Sequence, residues 1–158
     1  MGPARSGLSF HLNCSIMVTV RQLSVFLENK SGRLIEVLEA LGKEHIRITA
    51  LTIADTSEYG ILRLIVSDPE NGYRVLKAAG ASVIMSTVLA LEAPAGAGAS
   101  ADILQLFSQQ GISIEYMYAF SAGSRSILFF RTGDHEESLS VIGQRGLRLL
   151  GEEDIRNL

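Results

Sequence analysis

From Val18 to Leu27 the chain alternates between apolar and polar side chains (VTVRQLSVFL) well enough for a half-buried strand. The period then changes. Leu34, Val37, Leu38 and Leu41 recur at i, i+3, i+4 and i+7, which predicts an amphipathic helix with Ser31 as its N-cap. RITALTIAD (47–55) and ILRLIV (61–66) are rich in Ile, Leu and Thr and predict two strands joined by the turn TSEYG. In SDPENGYRVLKAAG a second helix starts with Asp68 as cap and Pro69 at its first position, and it stops at Gly80. The extended run ASVIMSTVLALEA completes the order β-α-β-β-α-β.

A shift of 66 residues lays 18–84 on 84–150 without a gap: Leu23 falls on Leu89, Gly32 on Gly98, Ile46 on Ile112, Asp68 on Asp134 and Gly80 on Gly146. Residue classes agree where structure demands it, at both helix entrances and exits, so the chain reads as a duplication. In the second copy, Ser100 or Asp102 is expected to cap a helix carrying Ile103, Leu104 and Phe107. SIEYMYAF and SILFFRT predict a hairpin around Ser121–Arg125, and Asp134 caps a helix ending at Gly146. LRLLG is the expected final strand, and EEDIRNL adds a short helical turn. The run Ser82–Ala93 must close one unit and open the next, so the units, 17–84 and 85–158, abut with almost no linker. Residues 1–16 have no clear period and are expected to form a disordered or loosely attached arm; Met17 stands where translation could start.

A β-α-β-β-α-β unit is the ferredoxin-like split βαβ, so the expected class is α+β: two tandem units, each an antiparallel sheet with its helices on one face. SIEYMYAF is apolar or aromatic on both alternating sets: Ile114, Tyr116, Tyr118 and Phe120 on one, Met117 and Ala119 on the other. That sheet is expected to be covered on both faces, by tandem or dimer packing.

Composition narrows the function classes. The chain has 158 residues, 47% of them hydrophobic, enough for one core or two small ones. A net charge of −3 with no basic stripe argues against nucleic acid. RSILFFR carries Phe129 and Phe130 as an RNA-binding sheet of this fold would, but the rest of that pattern fails, and Arg63 and Leu64 hold the matching positions of the first copy. The single Cys14 excludes an intrachain disulfide, and His11, His45 and His135 match no metal spacing. No nucleophile–base or carboxylate pair is brought together by spacing, so no catalysis, cofactor or metal is expected. No apolar run reaches about 18 residues and the start makes a poor signal peptide, so a cytoplasmic protein without membrane contact is expected.

One segment carries more than its neighbours. A strand ending in ENKSGRL (28–34), then a helix, then a strand entered through HIRI or GISI, resembles the ACT domain. Two such units without a linker, with IEYMYAF in the second, resemble the small stand-alone tandem-ACT proteins over roughly 17–158. The resemblance implies a regulatory module that binds an amino acid or similar metabolite at an interface between ACT units, beside the loop between first strand and first helix. The matching residues are Asn29, Lys30, Ser31, Gly32, Arg33 and Leu34, with Ile46, Arg47 and Ile48 in the facing segment. Chemistry agrees: free N–H groups at a helix start favour a carboxylate, Gly32 permits close approach, Asn29 offers donor and acceptor, and Arg33 or Arg47 could hold a second carboxylate. In the second copy the loop reads APAGAGAS, with Ala95 for Asn29, Gly96 for Lys30 and Ala99 for Arg33. A second site there, at Gly96, Gly98, Ala99, Ser100, Ile112 and Ser113, is degenerate, binds through backbone alone, or is purely structural. A homodimer or a metabolic enzyme is the expected partner; a ligand-free assembly subunit is the alternative.

Overall fold

The computed structural model describes residues 18–158 apart from Ser57 and the side chain of Asp55; the N-terminal arm, with His11 and Cys14, and Met17 lie outside the described residues. The elements are β1 (Val20–Glu28), α1 (Arg33–Lys43), β2 (Ile48–Asp55), β3 (Tyr59–Val66), α2 (Pro69–Ala78), β4 (Ser82–Pro94), α3 (Ala97–Gln109), β5 (Ile114–Ala122), β6 (Arg125–Thr132), α4 (His135–Gln144) and α5 (Glu152–Arg156). The strands lie in the order β2-β3-β1-β4-β6-β5, every neighbour antiparallel. Strand β4 serves both halves: Ser82–Val88 pairs with β1 and Leu89–Pro94 with β6.

The duplication is visible hydrogen bond by hydrogen bond. Ile46 N–H donates to the Leu41 carbonyl and Ile112 N–H to that of Phe107; Ser67 N–H donates to Arg47 and Gly133 N–H to Ser113. Asp68 caps α2 by accepting from Asn71 N–H, as Asp134 caps α4 by accepting from Glu137 N–H. The second strand of each copy carries a register shift at the same place, Ile48/Ala50 and Ile114/Tyr116. Even the left-handed residue after the first helix recurs, as His45 (φ 55°) and Gly111 (φ 69°).

Three clusters form the core. Leu23, Val25, Leu62 and Leu64 pack with Val37, Leu41 and Leu76 from α1 and α2 on one face of the first half-sheet. Leu89, Leu91, Leu128 and Phe130 pack with Ile103, Phe107, Val141 and Ile142 from α3 and α4 on the matching face of the second. The third joins the faces that carry no α1–α4 helix: Val20, Ile65, Val88, Ala90, Ile127 and Phe129, with Leu150 and Ile155. Each Val, Leu, Ile or Phe among them contributes about 1.5–3 kcal/mol on burial. A polar node sits in this joint. Gln22, fully buried, donates from Nε2 to the Tyr116 hydroxyl (2.8 Å) and to Ser24 Oγ (3.1 Å), and its Oε1 accepts from the Tyr118 hydroxyl (2.7 Å). The Arg63 guanidinium stacks over Tyr116, 3.8 Å from the ring centroid.

One expectation needs correction. LRLLG is not a full strand: it makes a single bridge, Leu91 to Leu149, flanked by Leu150 N–H to the Ala90 carbonyl and Glu92 N–H to that of Arg148. The chain turns away at Gly151 to start α5, whose Ile155 enters the joint between the half-sheets. Within one chain β5 is covered on one face. Tyr116, Tyr118 and Phe120 are partly buried in the joint, whereas Met117 (38% exposed) and Ala119 face outward, because α3 and α4 centre on β4 and β6 and leave the edge strand bare.

Candidate functional site

The loop between β1 and α1 leaves the sheet at Glu28, which pairs with Tyr59 on β3. Asn29 N–H donates to the Glu58 carbonyl (2.9 Å), tying the loop to the β2–β3 turn. The N-cap of α1 is Gly32, at φ 90°, and not Ser31. Only a glycine takes that left-handed angle without penalty, and no side chain caps the helix. Arg33 N–H turns back to the Lys30 carbonyl (3.3 Å), which leaves Leu34 and Ile35 to offer the first-turn amides to solvent or a ligand. Beside them Asn29, Lys30, Arg33, Leu34, Ile53 and Gly60 line a pocket of about 250 Å³. Charges on its wall are engaged within the chain. Lys30 Nζ lies 2.6 Å from Glu28, and this contact holds the Glu28 carboxyl below the usual carboxylate range. Arg33 donates to Glu36 (3.0 Å), which raises the Arg33 guanidinium further.

The facing segment lies elsewhere. Ile48 pairs with Val66, while the loop sits beside Tyr59 and Gly60, so Arg47 and Asn29 stand at opposite ends of the sheet, separated by roughly 20 Å of strand. Ile46 is in the core beneath α1, and the Arg47 guanidinium reaches the Arg156 carbonyl (3.3 Å) at the end of α5. Within one chain the loop and this segment are not brought together. Ile53, Gly60 and Glu28 line the loop pocket instead; the sequence offered no signal for them beyond strand pattern.

The second copy is built differently at its loop. Ala95 N–H donates to the Ser124 carbonyl, as Asn29 does to Glu58. But α3 starts at Ala97 behind an N-cap at Gly96, so neither Ser100 nor Asp102 caps it, and Gly98, Ala99 and Ser100 form its first turn. Alanines propagate a helix well, and here they draw into it the residues that in the first copy stay in the loop. Ile112 and Ser113 line a separate shallow depression with Leu104, Ser108 and Gly111 at the far end of α3.

Compared with known families, residues 18–158 match the ACT domain pair. The chain belongs to the ACT domain pair family. No curated protein matches it. Among solved structures, this ACT pair is similar to a protein of Bacteroides thetaiotaomicron, at 40% identity over 89% of this chain and 98% of that one, with a TM-score of 0.85. It also has the fold of the ligand-free regulatory subunit of aspartate kinase from Thermus thermophilus, at 13% identity over 80% and 92% of the two chains (TM-score 0.58). The structure of aspartokinase alpha and beta subunits aligns at 15% identity over 80% and 97% (TM-score 0.52). No helix of the described residues is long and apolar enough to cross a membrane.

Proposed function

We propose that this ACT pair is a non-catalytic regulatory protein that binds a free amino acid or similarly small metabolite at the mouth of α1. The observation that carries it is an uncapped helix N-terminus opening on a pocket of about 250 Å³, with Lys30 and Arg33 on its wall. That volume lies below the about 300–1,000 Å³ typical of sites for drug-sized ligands, and so suits a smaller guest. The ligand carboxylate meets the first-turn amides and competes with Glu28 and Glu36 for the two cations. Asn29 serves the ligand's second polar end. The Ile46–Arg47 segment joins such a site only across an interface between two copies, in keeping with a homodimer. Binding shifts the population of packings of the units, and a docked metabolic enzyme reads the shift. The second loop, drawn into α3, binds little or nothing through Gly96, Gly98, Ala99 and Ser100.

The test is a thermal-shift screen of the twenty amino acids. At a hundred times its dissociation constant a ligand adds about 2.7 kcal/mol of stability, or roughly 5–10 °C for a chain of this size. Asn29→Ala and Lys30→Ala should each abolish the shift. Uniform silence across the screen, with an enzyme co-purifying, would support the alternative of a ligand-free assembly subunit, which the bare apolar side chains of Phe26 and Ile84 on the first half-sheet favour.

A further inference from the structure

An open strand edge offers unpaired N–H and C=O groups to any other chain, and proteins blunt such edges with bulges, charges or shortened strands. Strand β2 is broken by its register shift at Ile48/Ala50, and β5 by the one at Ile114/Tyr116, with Glu115 and its partner Arg131 beside it. In the second copy the segment equivalent to the start of β4 is cut to the single bridge at Leu149 and runs into the charges of Glu152, Glu153 and Asp154. The first half of β4 itself carries none of these devices. Ser82–Val88 pairs with β1 in unbroken register, β6 takes the other side only from Leu89 onward, and among the described residues no strand lies outside Ser82 to Thr87. No charged residue occurs from Ala78 to Leu91. The far end of the strand fixes which groups are free. There the Ala90 carbonyl and the Glu92 N–H point to the β1 side, where they bond Leu150 and Arg148. Alternation then turns the backbone groups of Val83, Met85 and Thr87 outward. Ile84, between the first two, is 53% exposed on the face without helices, one strand away from Phe26 at 44%.

We infer that two copies of this chain join through this edge, β4 against β4, about a twofold axis at Ile84. Val83 of one copy exchanges both backbone hydrogen bonds with the partner's Met85, and Met85 with the partner's Val83. Ile84 then stands opposite the partner's Ile84 in a non-hydrogen-bonded pair, where side chains come closest. A twofold axis sets the residues beside it against their own copies, so a charge there repels itself. The uncharged run through β4 meets that condition. Phe26 and Ile84 of the two copies line up as one apolar stripe across the axis. The contact is independent of the amino-acid reading, whose loop pocket lies toward β2, at Ile53 and Gly60.

Sedimentation velocity of the full chain across a concentration series tests this directly, and the wild type should run as a dimer. Ile84→Lys and Ile84→Glu each place like charges on the axis and weaken association roughly tenfold or more. Their circular dichroism stays that of the wild type, because Ile84 is exposed in the single chain. An equimolar mixture of the two variants associates again, since opposite charges then meet across the axis. A second measurement does not depend on those variants. Residues opposite each other in a non-hydrogen-bonded pair have Cα atoms about 4.5 Å apart, within reach of a disulfide. In a Cys14→Ser background, Ile84→Cys should therefore give a covalent dimer on mild oxidation, whereas Ser82→Cys, which does not face its own copy, should not. A monomeric wild type overturns the inference. So does a dimer that both charged variants leave intact, or an Ile84→Cys chain that crosslinks no better than Ser82→Cys.

Discussion

Replacing Gln22 by leucine tests what holds the two half-sheets in register. Leucine nearly matches glutamine in volume, so the substitution removes hydrogen bonds more than packing. Three are lost, to Ser24, Tyr116 and Tyr118. Burial pushes the Tyr118 phenol up from its ordinary pKa, so it stays a neutral O–H donor at every usable pH, and its acceptor is Gln22 Oε1. A buried donor left without an acceptor costs about 1–3 kcal/mol. Tyr118 keeps some exposure, so about 1–2 kcal/mol is expected for Gln22→Leu, a fall in Tm of roughly 2–8 °C. Tyr118→Phe leaves the Gln22 oxygen unpaired and costs about the same. When both partners become apolar, neither orphan remains, and the double variant should lose less than the sum of the singles by about 1 kcal/mol or more. Urea unfolding of the wild type, both singles and the double, followed by circular dichroism, measures that coupling. Additive losses, or a Gln22→Leu variant as stable as the wild type, would refute the claim that this node registers one half against the other.

Other expectations follow from the same joint and from the repeat. Arg21 holds Glu152 through Nε (2.6 Å) and the second terminal nitrogen (2.9 Å), and this pairing lowers the Glu152 carboxyl below its ordinary range. A lowered carboxylate stabilises the fold above its unfolded pKa of about 4.3 and loses that contribution as pH falls through the lower folded value. Both partners keep partial exposure, so Glu152→Gln should cost about 1 kcal/mol at pH 7 and converge with the wild type at strongly acidic pH, as equilibrium unfolding across a pH series would show. His45 sits at φ 55° where the second copy has Gly111. His45→Gly should therefore leave stability unchanged or raise it by up to about 1 kcal/mol, whereas Gly111→Ala should lower it by about 1 kcal/mol; scanning calorimetry of the pair checks the sign.

Much of the architecture was legible because its signals are local. The Leu34–Leu41 spacing, the Asp68–Pro69 and Asp134 entrances and the glycine exits all depend on one turn of chain, and each element forms where they place it. The shared strand was legible too, since a single extended run stood where two strands were required. The helix entrances of the first and third helices were not. Ser31 and Ser100 have the right chemistry for a cap, but the chain's exit from the sheet demanded backbone angles that glycine supplies, and Gly32 and Gly96 took the positions. The candidate site was half legible for the same reason. Asn29 to Leu34 are adjacent in sequence and gather at one loop, whereas Ile46 and Arg47, which follow the same helix, lie at its other end.

By itself, then, the sequence determined the repeating unit, its order of strands and helices, and the loop with chemistry to spare, because hydrophobic period and turn residues act over a few positions. Tertiary structure alone decided that the two half-sheets meet face to face over Gln22 and the tyrosines, that the last strand shrinks to one bridge so that Ile155 can fill the joint, and that Ile53 and Gly60 complete the loop pocket. Those outcomes depend on which surfaces remain bare once neighbouring elements have packed. Pattern along a chain says which face of a strand is apolar; only packing in space says what comes to cover it.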